Sequence, residues 1–253
     1  MKLRLLSLYP DQMNIYADRG NILFLQHRCE WRGIQFEVTR CGPGESFNPD
    51  DFDLLYMGGG QDRDQKAVAK DLNQTKQEAM KVAKEDGAAI LAVCGGYQLL
   101  GESYELEGET IEGLGLVDLK TVREPGPRLI GPVAIEVNLD GNPNALADGE
   151  AKVLAGFENH GGRTRLGPDT APLGKVIHGH GNNGQDGFEG VRQDNLIGTY
   201  LHGPLLPKNA WLADHLIATA LEHHHGERPE LEPLEDSLED AAHQAALTAA
   251  RNG

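Results

Sequence analysis

The sequence predicts an α/β fold: an open, mostly parallel central sheet flanked by helices, with a strand-rich second half. Three observations support this prediction. Short apolar segments alternate with longer segments of helical character over the first hundred residues. Residues 88–93 are continuously apolar, which is typical of a central strand buried on both faces. Beyond about Gly113, short strand-like segments follow one another, separated by glycine, proline and asparagine. The alternation in the first half indicates a doubly wound sheet.

The first half supplies the elements of this sheet in order. Apolar or alternating patterns predict strands at Leu3–Tyr9, Ile34–Thr39, Asp53–Met57 and Ala88–Val93. Helical patterns cover Arg19–Arg32, residues 62–85, and a segment that starts at Gly95.

The second half adds strands and one long helix. Strands are predicted at Leu114–Val122, Val133–Val137, Val153–Glu158, Gly174–His178, Phe188–Arg192 and Leu196–Leu201. The helix Asn209–His224 places Trp211, Leu212, Leu216, Ile217 and Leu221 on one face. We assign residues 1–225 to one domain.

Residues 226–253 form an acidic tail. From Glu227 onward it contains seven acidic and two basic residues. Such a bias predicts a solvated segment that is partly helical or disordered. The helical spacing of Leu234, Leu238, Ala242 and Ala245 leaves a docking role open.

Composition excludes several classes of function. Lys and Arg number 23 against 39 Asp and Glu, a net charge of −16. Binding to nucleic acid or to an anionic membrane needs clustered cations, so neither is expected as the main partner. No apolar run reaches the roughly 20 residues that span a bilayer, so no membrane insertion is expected. Three cysteines without a CxxC pair and an N-terminus without a signal peptide predict a cytoplasmic protein.

Cys94 is the candidate nucleophile. It lies directly after the buried strand and directly before a helix, in the run Cys94-Gly95-Gly96-Tyr97-Gln98. A strand-to-helix elbow holds its apex side chain at the carboxyl edge of the sheet, where open α/β sheets bind ligands. The small residues at 95 and 96 allow so tight a turn. A buried structural role is the usual fate of a free cysteine and is the alternative.

His202 is the candidate base. It follows a predicted strand and precedes a Gly-Pro turn. An imidazole within reach of Cys94 takes the thiol proton and later protonates a leaving amine. The resulting oxyanion needs backbone donors, and Gly95, next to the nucleophile, is positioned to supply one. The Gly58-Gly59-Gly60 turn is either the source of the second donor or a plain loop.

These motifs resemble those of class I (triad-type) glutamine amidotransferases, whose fold is flavodoxin-like. Residues 94–98 are similar to the C-x-G-x-Q elbow of that family. Residues 198–203, Gly-Thr-Tyr-Leu-His-Gly, are similar to the histidine motif of its cobyric-acid-synthase-like branch. Within the branch, three stretches resemble the glutaminase subunits of synthases that amidate lipid II: residues 9–16, 156–164 and 203–209. The resemblance covers about residues 1–225.

The resemblance implies hydrolysis of L-glutamine to glutamate and ammonia. It assigns a γ-glutamyl thioester to Cys94 and acid–base catalysis to His202. It implies that Gly60 and Gly95 form the oxyanion hole and that Gln98 and Arg128 bind the substrate. A guanidinium at Arg128 also suits the α-carboxylate of glutamine on chemical grounds.

A partner is implied as well. The chain contains no GxxxxGK[ST] phosphate loop. No cofactor is therefore expected here, and ATP and Mg²⁺ are expected on a Mur-ligase-like synthetase subunit that forms a heterodimer with this chain. That subunit uses the ammonia to amidate the D-glutamate α-carboxylate of lipid II, giving D-isoglutamine in peptidoglycan.

The family's third catalytic residue is not evident. Many members have Glu two residues after the histidine, where this chain has Pro204. Either a Cys–His dyad operates or another acid orients the imidazole, with Glu158 and Asp194 as candidates. Loss of an orienting acid costs orders of magnitude in rate, which predicts weak activity without the partner.

Three other interpretations remain open at this point. In the first, the ammonia goes to another acceptor, as in corrinoid amidation, or the chain is a free-standing glutaminase. In the second, the chain is a catalytically silent binding subunit. In the third, it is another cysteine protein with the same elbow, of the DJ-1 or peptidase type. A metal site at His160, His178, His180 and residues 223–225 is not expected, because no Cys or paired carboxylate completes it.

Overall fold

The computed structural model describes residues 1–15, 18–106, 108–139 and 151–253. Its strands, in chain order, are β1 (Lys2–Leu8), β2 (Gln35–Cys41), β3 (Leu54–Met57), β4 (Ala89–Val93), β5 (Ser103–Leu106), β6 (Glu109–Glu112), β7 (Leu119–Arg123), β8 (Leu129–Val137), β9 (Lys152–His160), β10 (Gly162–Leu166), β11 (Gly174–His178), β12 (Phe188–Glu189), β13 (Val191–Gln193) and β14 (Leu196–Thr199). The α-helices are α1 (Arg19–Trp31), α2 (Asp62–Asp71), α3 (Gln77–Glu85), α4 (Gly95–Leu99), α5 (Ala210–His225) and α6 (Ser237–Asn252).

The central sheet has the strand order β13–β14–β4–β3–β1–β2 within the described residues. The pairs β14–β4, β4–β3, β3–β1 and β1–β2 are parallel, and β13 is antiparallel to β14. Every residue of β3 and β4 is buried, as their unbroken apolar sequences require. The predicted α/β fold with a mostly parallel sheet is confirmed. Four neighbouring strands, β14, β4, β3 and β1, therefore end side by side at one edge.

The second half forms two smaller sheets, as its strand-rich sequence predicts. Among the described residues, their orders are β10–β7–β5–β6 and β12–β11–β8–β9. The β5–β6 hairpin and β10 were not predicted, and β7 starts at Leu119, later than the predicted Leu114. The strands β5 and β6 have four residues each and β10 has five, which is too short for the sequence pattern to distinguish them from loops.

The single helix predicted over residues 62–85 is wrong in one respect. A π-helical turn at Leu72–Lys76 separates α2 from α3. The turn directs Lys76 inward, where its fully buried ammonium group lies 2.6 Å from Asp71 Oδ2 and 4.7 Å from the centre of the Tyr9 ring. Tyr9 donates a hydrogen bond to the same carboxylate. Tyr9, which is distant in the sequence, therefore adds long-range contacts to the local ion pair of Lys76 and Asp71. Together they stabilise an irregularity that local helix propensity does not indicate.

The acidic tail packs against the domain through α6. This helix contacts β8, β9 and the 3₁₀ turn Leu206–Lys208. Its anchor is a salt-bridge cluster around Arg28, a fully buried side chain of α1. Two guanidinium nitrogens of Arg28 lie 2.6 Å from the two carboxylate oxygens of Asp214 on α5, and a third lies 2.6 Å from Asp236 in the tail. The tail therefore shares one buried cation with two helices of the domain.

We expect Arg28→Met to lower the free energy of unfolding by about 3 kcal/mol, because removing one partner of a buried ion cluster leaves the other charges uncompensated. Denaturant unfolding measures the change. The control is Arg40→Met, which removes a surface ion pair with Asp11 and should change stability by less than about 1 kcal/mol. Equal effects of the two variants would contradict an anchoring role for Arg28.

Candidate active site

Cys94 forms a sharp elbow between β4 and α4. Its backbone has φ 51° and ψ −105°, a conformation that costs energy for a residue with a Cβ and that clusters at functional sites. The Cys94 N–H donates to the carbonyl of Thr199 on the neighbouring strand at 2.8 Å. A methyl group added at Gly96 would lie 2.6 Å from the Met57 carbonyl oxygen, so only glycine fits there. The structure therefore presents the thiol at the carboxyl edge of the sheet, 8% exposed.

His202 lies beside Cys94, at the end of the adjacent strand β14. Its backbone exchanges two hydrogen bonds with Phe157 of β9, which hold the residue in place after the strand has ended. The imidazole is fully buried and interacts with the Cys94 thiol. A methyl group added at Gly59 would lie 2.8 Å from His202 Cε1 and 3.2 Å from Cys94 Cβ. The glycine-rich turn after β3 thus packs directly against both side chains.

The acid beside His202 is Asp18, which sequence reasoning missed. The Asp18 side chain is fully buried, and its Oδ1 lies 3.2 Å from His202 Nδ1. Its Oδ2 accepts the Gly59 N–H at 2.8 Å. Asp18 directly precedes α1, ten residues after β1 ends at Leu8, and its contacts with Gly59 and His202 place it at the same edge of the sheet. That position was the available signal: an acid following a central strand, placed before the nucleophile in the chain and not after the histidine.

The suggestion that Glu158 or Asp194 orients the imidazole is wrong. The Glu158 carboxylate accepts the backbone N–H groups of His180 and Gly181 at 2.6 and 2.9 Å. Asp194 lies in the β13–β14 turn, at the opposite end of the strand that leads to His202. Neither residue supplies the Nδ1 partner that Asp18 provides.

Two anionic neighbours dominate the electrostatics of His202. Burial lowers the pKa of the imidazole, but the Cys94 thiolate and the Asp18 carboxylate stabilise the imidazolium and outweigh burial, raising the pKa from 6.5 to about 10. The two neighbours therefore stabilise the protonated imidazole against the effect of burial. This is the state from which a thiolate attacks and an imidazolium then donates a proton.

A cleft of about 250 Å³ opens from Cys94 toward the second half of the chain. Gly60 and Gln98, both predicted from the sequence, belong to its wall, and so does Arg128. Arg128 is held by Asn159, whose side-chain and backbone oxygens each accept one guanidinium N–H at 2.8 Å. The remaining lining residues are Gln65, Tyr104, Leu106, Arg123, His160 and Gly161.

Gly60 and Gly95 approach each other at the base of the cleft. A methyl group added at Gly95 would lie 3.1 Å from the Gly60 nitrogen. The backbone nitrogen next to the nucleophile and the one from the β3 turn therefore lie close together. Two N–H groups arranged in this way suit an oxyanion that forms on a carbonyl attacked by Cys94.

Gln98 belongs to a buried hydrogen-bond network behind the cleft. Its Nε2 donates to the Tyr200 hydroxyl at 3.0 Å, and that hydroxyl lies 2.6 Å from Thr164 Oγ1. The His160 ring stacks on Tyr200 with their centres 3.5 Å apart. Gln98 therefore fixes the cleft wall as well as lining it.

Arg123, Gln65 and His160 were also missed as cleft residues. Arg123 enters the cleft because position 161 is glycine: a methyl group there would lie 1.3 Å from Arg123 Nη1. The segment 156–164 resembled the family motif, but the sequence assigned its histidine no role. Placing Arg123 and His160 requires the packing of the second-half sheets against the elbow, and placing Gln65 requires the packing of α2 there. Local patterns reveal neither.

Across the ranges that the structure describes, no three His, Cys, Asp or Glu side chains converge in a way that would hold a metal ion. His223 instead contacts the Asp86 carboxylate at 2.9 Å, and His224 contacts the Asp53 carboxylate at 3.2 Å.

Among the residues that the structure describes, no helix is both long enough and apolar enough to cross a membrane.

The chain belongs to the family of CobB/CobQ-like glutamine amidotransferase domains, whose sequence profile matches residues 4–210. The family resemblance recognised in the sequence is therefore confirmed.

Two relatives are similar over most of the chain. The lipid II isoglutaminyl synthase (glutamine-hydrolyzing) subunit GatD of Streptococcus pneumoniae is 40% identical over 238 residues, covering 94% of this chain and 87% of the relative. GatD of Staphylococcus aureus is 40% identical over 222 residues, covering 87% and 85%. A probable cobyric acid synthase of Methanothermobacter thermautotrophicus is 29% identical over 160 residues, covering 61% of this chain and 31% of that protein.

Solved structures support the fold. PurLQS from Thermotoga maritima superimposes with a TM-score of 0.61 at 20% identity, covering 88% of this chain and 100% of the matched chain. The glutaminase domain of Trypanosoma brucei CTPS gives a TM-score of 0.51 at 10% identity, covering 94% and 98%.

We expect Asp18→Asn to lower the pKa of His202, because the amide no longer stabilises the imidazolium. Cys94→Ala should lower it as well, by removing the thiolate. Titration of the imidazole signals by NMR, with His202→Gln for assignment, measures both changes. An unchanged pKa in Asp18→Asn would show that the carboxylate does not act on this ring.

Proposed function

We propose that this chain is a glutaminase subunit that hydrolyses L-glutamine to glutamate and ammonia. The observation that carries the proposal is the juxtaposition of Cys94, His202 and Asp18 at the ends of neighbouring strands, beside a cleft that contains two arginines. Membership of a glutamine amidotransferase family and 40% identity to two GatD subunits support the same activity.

The reaction follows from the geometry. His202 takes the Cys94 proton, and the thiolate attacks the carboxamide carbon of glutamine. The carbonyl oxygen becomes an oxyanion held by the N–H groups of Gly60 and Gly95. The His202 imidazolium then protonates the amide nitrogen and the C–N bond breaks. Ammonia departs, and Cys94 retains the γ-glutamyl group as a thioester. His202 next removes a proton from water, whose oxygen attacks the thioester carbon, and the C–S bond breaks to release glutamate.

Asp18 keeps this proton transfer aligned. Its carboxylate lies beside Nδ1, which leaves the other ring nitrogen, Nε2, for proton exchange with the thiol. The same carboxylate holds the Gly59 N–H and thereby the turn that presents Gly60. Orientation of the base and placement of the oxyanion donor thus depend on one buried group.

The arginines suit the far end of the substrate. Glutamine carries an α-carboxylate, which a guanidinium binds through paired hydrogen bonds. Arg128 is already oriented by Asn159, so little of its conformational freedom is left to lose on binding. We assign the α-carboxylate to Arg128.

The ammonia is delivered to a Mur-ligase-like synthetase subunit that binds ATP and Mg²⁺ and amidates the D-glutamate α-carboxylate of lipid II. Support comes from the GatD relatives, which are named as subunits of lipid II isoglutaminyl synthase and are matched over at least 85% of their length. The cobyric acid synthase relative is matched over only 31% of its length, which disfavours a corrinoid as the ammonia acceptor.

We place the complex in the cytoplasm, in keeping with three free cysteines.

Mixing the purified chain with that synthetase, ATP, Mg²⁺, lipid II and L-glutamine should yield glutamate and amidated lipid II, measured by coupled assay and mass spectrometry. Cys94→Ala should abolish both products, because the nucleophile is gone. Ammonium chloride should restore amidation by the Cys94→Ala complex. Glutamate release without lipid II amidation would point to a different acceptor, and the absence of both would contradict the proposed mechanism.

Arg128→Met should raise the KM for L-glutamine by about 10- to 100-fold while kcat changes only a few-fold, because a carboxylate contact is made equally in the ground and transition states. Steady-state kinetics measures the split. Arg165→Met is the control, since Arg165 pairs with Glu124 on the surface and does not line the cleft. A fall in kcat with unchanged KM would contradict the assigned role.

A further inference from the structure

The Gln65 side chain in the cleft wall contains an acceptor that the protein does not satisfy. Gln65 lies in the first turn of α2 and is 3% exposed. Its Oε1 is buried and has no hydrogen-bond partner among the described residues. An unpaired buried carbonyl is costly, and such atoms are rare in native proteins. A ligand that donates a hydrogen bond at this position would remove that cost.

The other end of the Gln65 amide is fixed. Its Nε2 lies 3.4 Å from Gln98 Oε1, and the Gln98 amide is in turn bound to the Tyr200 hydroxyl. This orientation leaves Oε1, unpaired among the described residues, as the free acceptor of a side chain that lines the cleft. Gln65 is thus oriented by the same buried network that holds the cleft wall.

Gln65 lies at the reacting end of the cleft. A methyl group added at Gly95 would lie 1.9 Å from Gln65 Nε2 as well as 3.1 Å from the Gly60 nitrogen. The Gln65 amide therefore adjoins both backbone nitrogens of the proposed oxyanion hole. A substrate whose carbonyl oxygen enters that hole places the other substituent of the same carbon close by.

We propose that Gln65 Oε1 accepts an N–H of the substrate's γ-carboxamide and so selects glutamine over glutamate. This inference rests on the proposed glutaminase function. A carboxamide carries two N–H donors beside its carbonyl oxygen, whereas a carboxylate carries none. Glutamate at this position would bring a second negative oxygen against Oε1. The contact also holds the amide nitrogen in a fixed orientation while His202 protonates it.

His160 supplies a matched comparison within the same cleft. Its Nδ1 lies 2.9 Å from the Gly162 carbonyl oxygen, and its buried Nε2 lies 3.7 Å from Glu158, beyond hydrogen-bond length. This second acceptor adjoins Asn159 and Gly161, which contact Arg128 and Arg123. Among the described residues, its ring hydrogen-bonds neither Gln65 nor the two glycines of the proposed oxyanion hole.

The test compares two substrates in three variants. L-Glutamine has amide N–H donors, and the γ-methyl ester of L-glutamate has the same acyl group without them. Gln65→Met removes the acceptor at similar length, and Gln65→Glu retains an acceptor oxygen. His160→Phe removes the other acceptor and preserves the stacking on Tyr200. The kcat/KM of the wild type and of each variant is measured with both substrates, and circular dichroism checks folding.

Gln65→Met should lower kcat/KM about 30-fold for L-glutamine and less than about 3-fold for the ester, since only the amide loses a hydrogen bond. Gln65→Glu should keep the ratio of amide to ester activity within about 3-fold of the wild type, although its charge beside the oxyanion lowers both rates. His160→Phe should affect the two substrates by the same factor.

Equal losses on amide and ester in Gln65→Met, or a selective loss on the amide in His160→Phe, would overturn the inference and leave the glutaminase proposal intact. Failure of the wild type to hydrolyse either substrate would refute the proposed function instead. If Gln65→Met is too slow to measure, calorimetric binding in a Cys94→Ala background decides the question. The preference for L-glutamine over L-glutamate must then fall when methionine replaces Gln65.

Discussion

The buried Asp18 carboxylate joins the parts of the site that the chain supplies separately. One oxygen lies beside the imidazole of His202, and the other accepts the N–H of Gly59. The Asp18 backbone carbonyl also accepts the hydroxyl of Tyr56 from β3. Burying a carboxylate away from solvent costs folding free energy unless the charge is paired and hydrogen-bonded. The loop after β1, the turn after β3 and the histidine after β14 are therefore held in one arrangement by a single charge.

Around this fixed centre, the strand-rich second half builds the walls of the cleft. Tyr104 and Leu106 come from β5, Arg123 ends β7, and Arg128 precedes β8. Behind β8 and β9 lies α6, and Arg28 ties the tail that carries this helix to α1 and α5. The acidic tail is therefore part of the support of the cleft wall. A segment whose composition indicates solvation is here stabilised by one long-range buried cation.

Local sequence patterns were sufficient for Cys94 and His202 because each directly follows an apolar strand and carries its own glycine-rich signature. They were insufficient for Asp18, because several acids follow or flank strands and only the strand order selects among them. The order β14–β4–β3–β1 brings the end of β1 to the site. Gln65 and His160 depend on a further step, the packing of α2 and β9 against the elbow. The π-helical turn before α3 depends on Lys76 and Asp71, which both contact Tyr9, a residue 62 positions before Asp71 in the sequence.

The identity of the acid also changes the physical basis of partner dependence. With proline at position 204, the sequence suggested a missing orienting group and hence a weak isolated enzyme. Asp18 takes the role of the orienting acid, and its proximity to His202 needs no partner chain. An incomplete triad therefore cannot be the reason for low basal turnover. Any partner that stimulates this subunit would act instead on the exposed guanidinium group of Arg123, or on the loop 124–128 that joins β7 to β8. Such control changes how firmly glutamine is held before the thiolate attacks, and it leaves the proton-transfer geometry untouched.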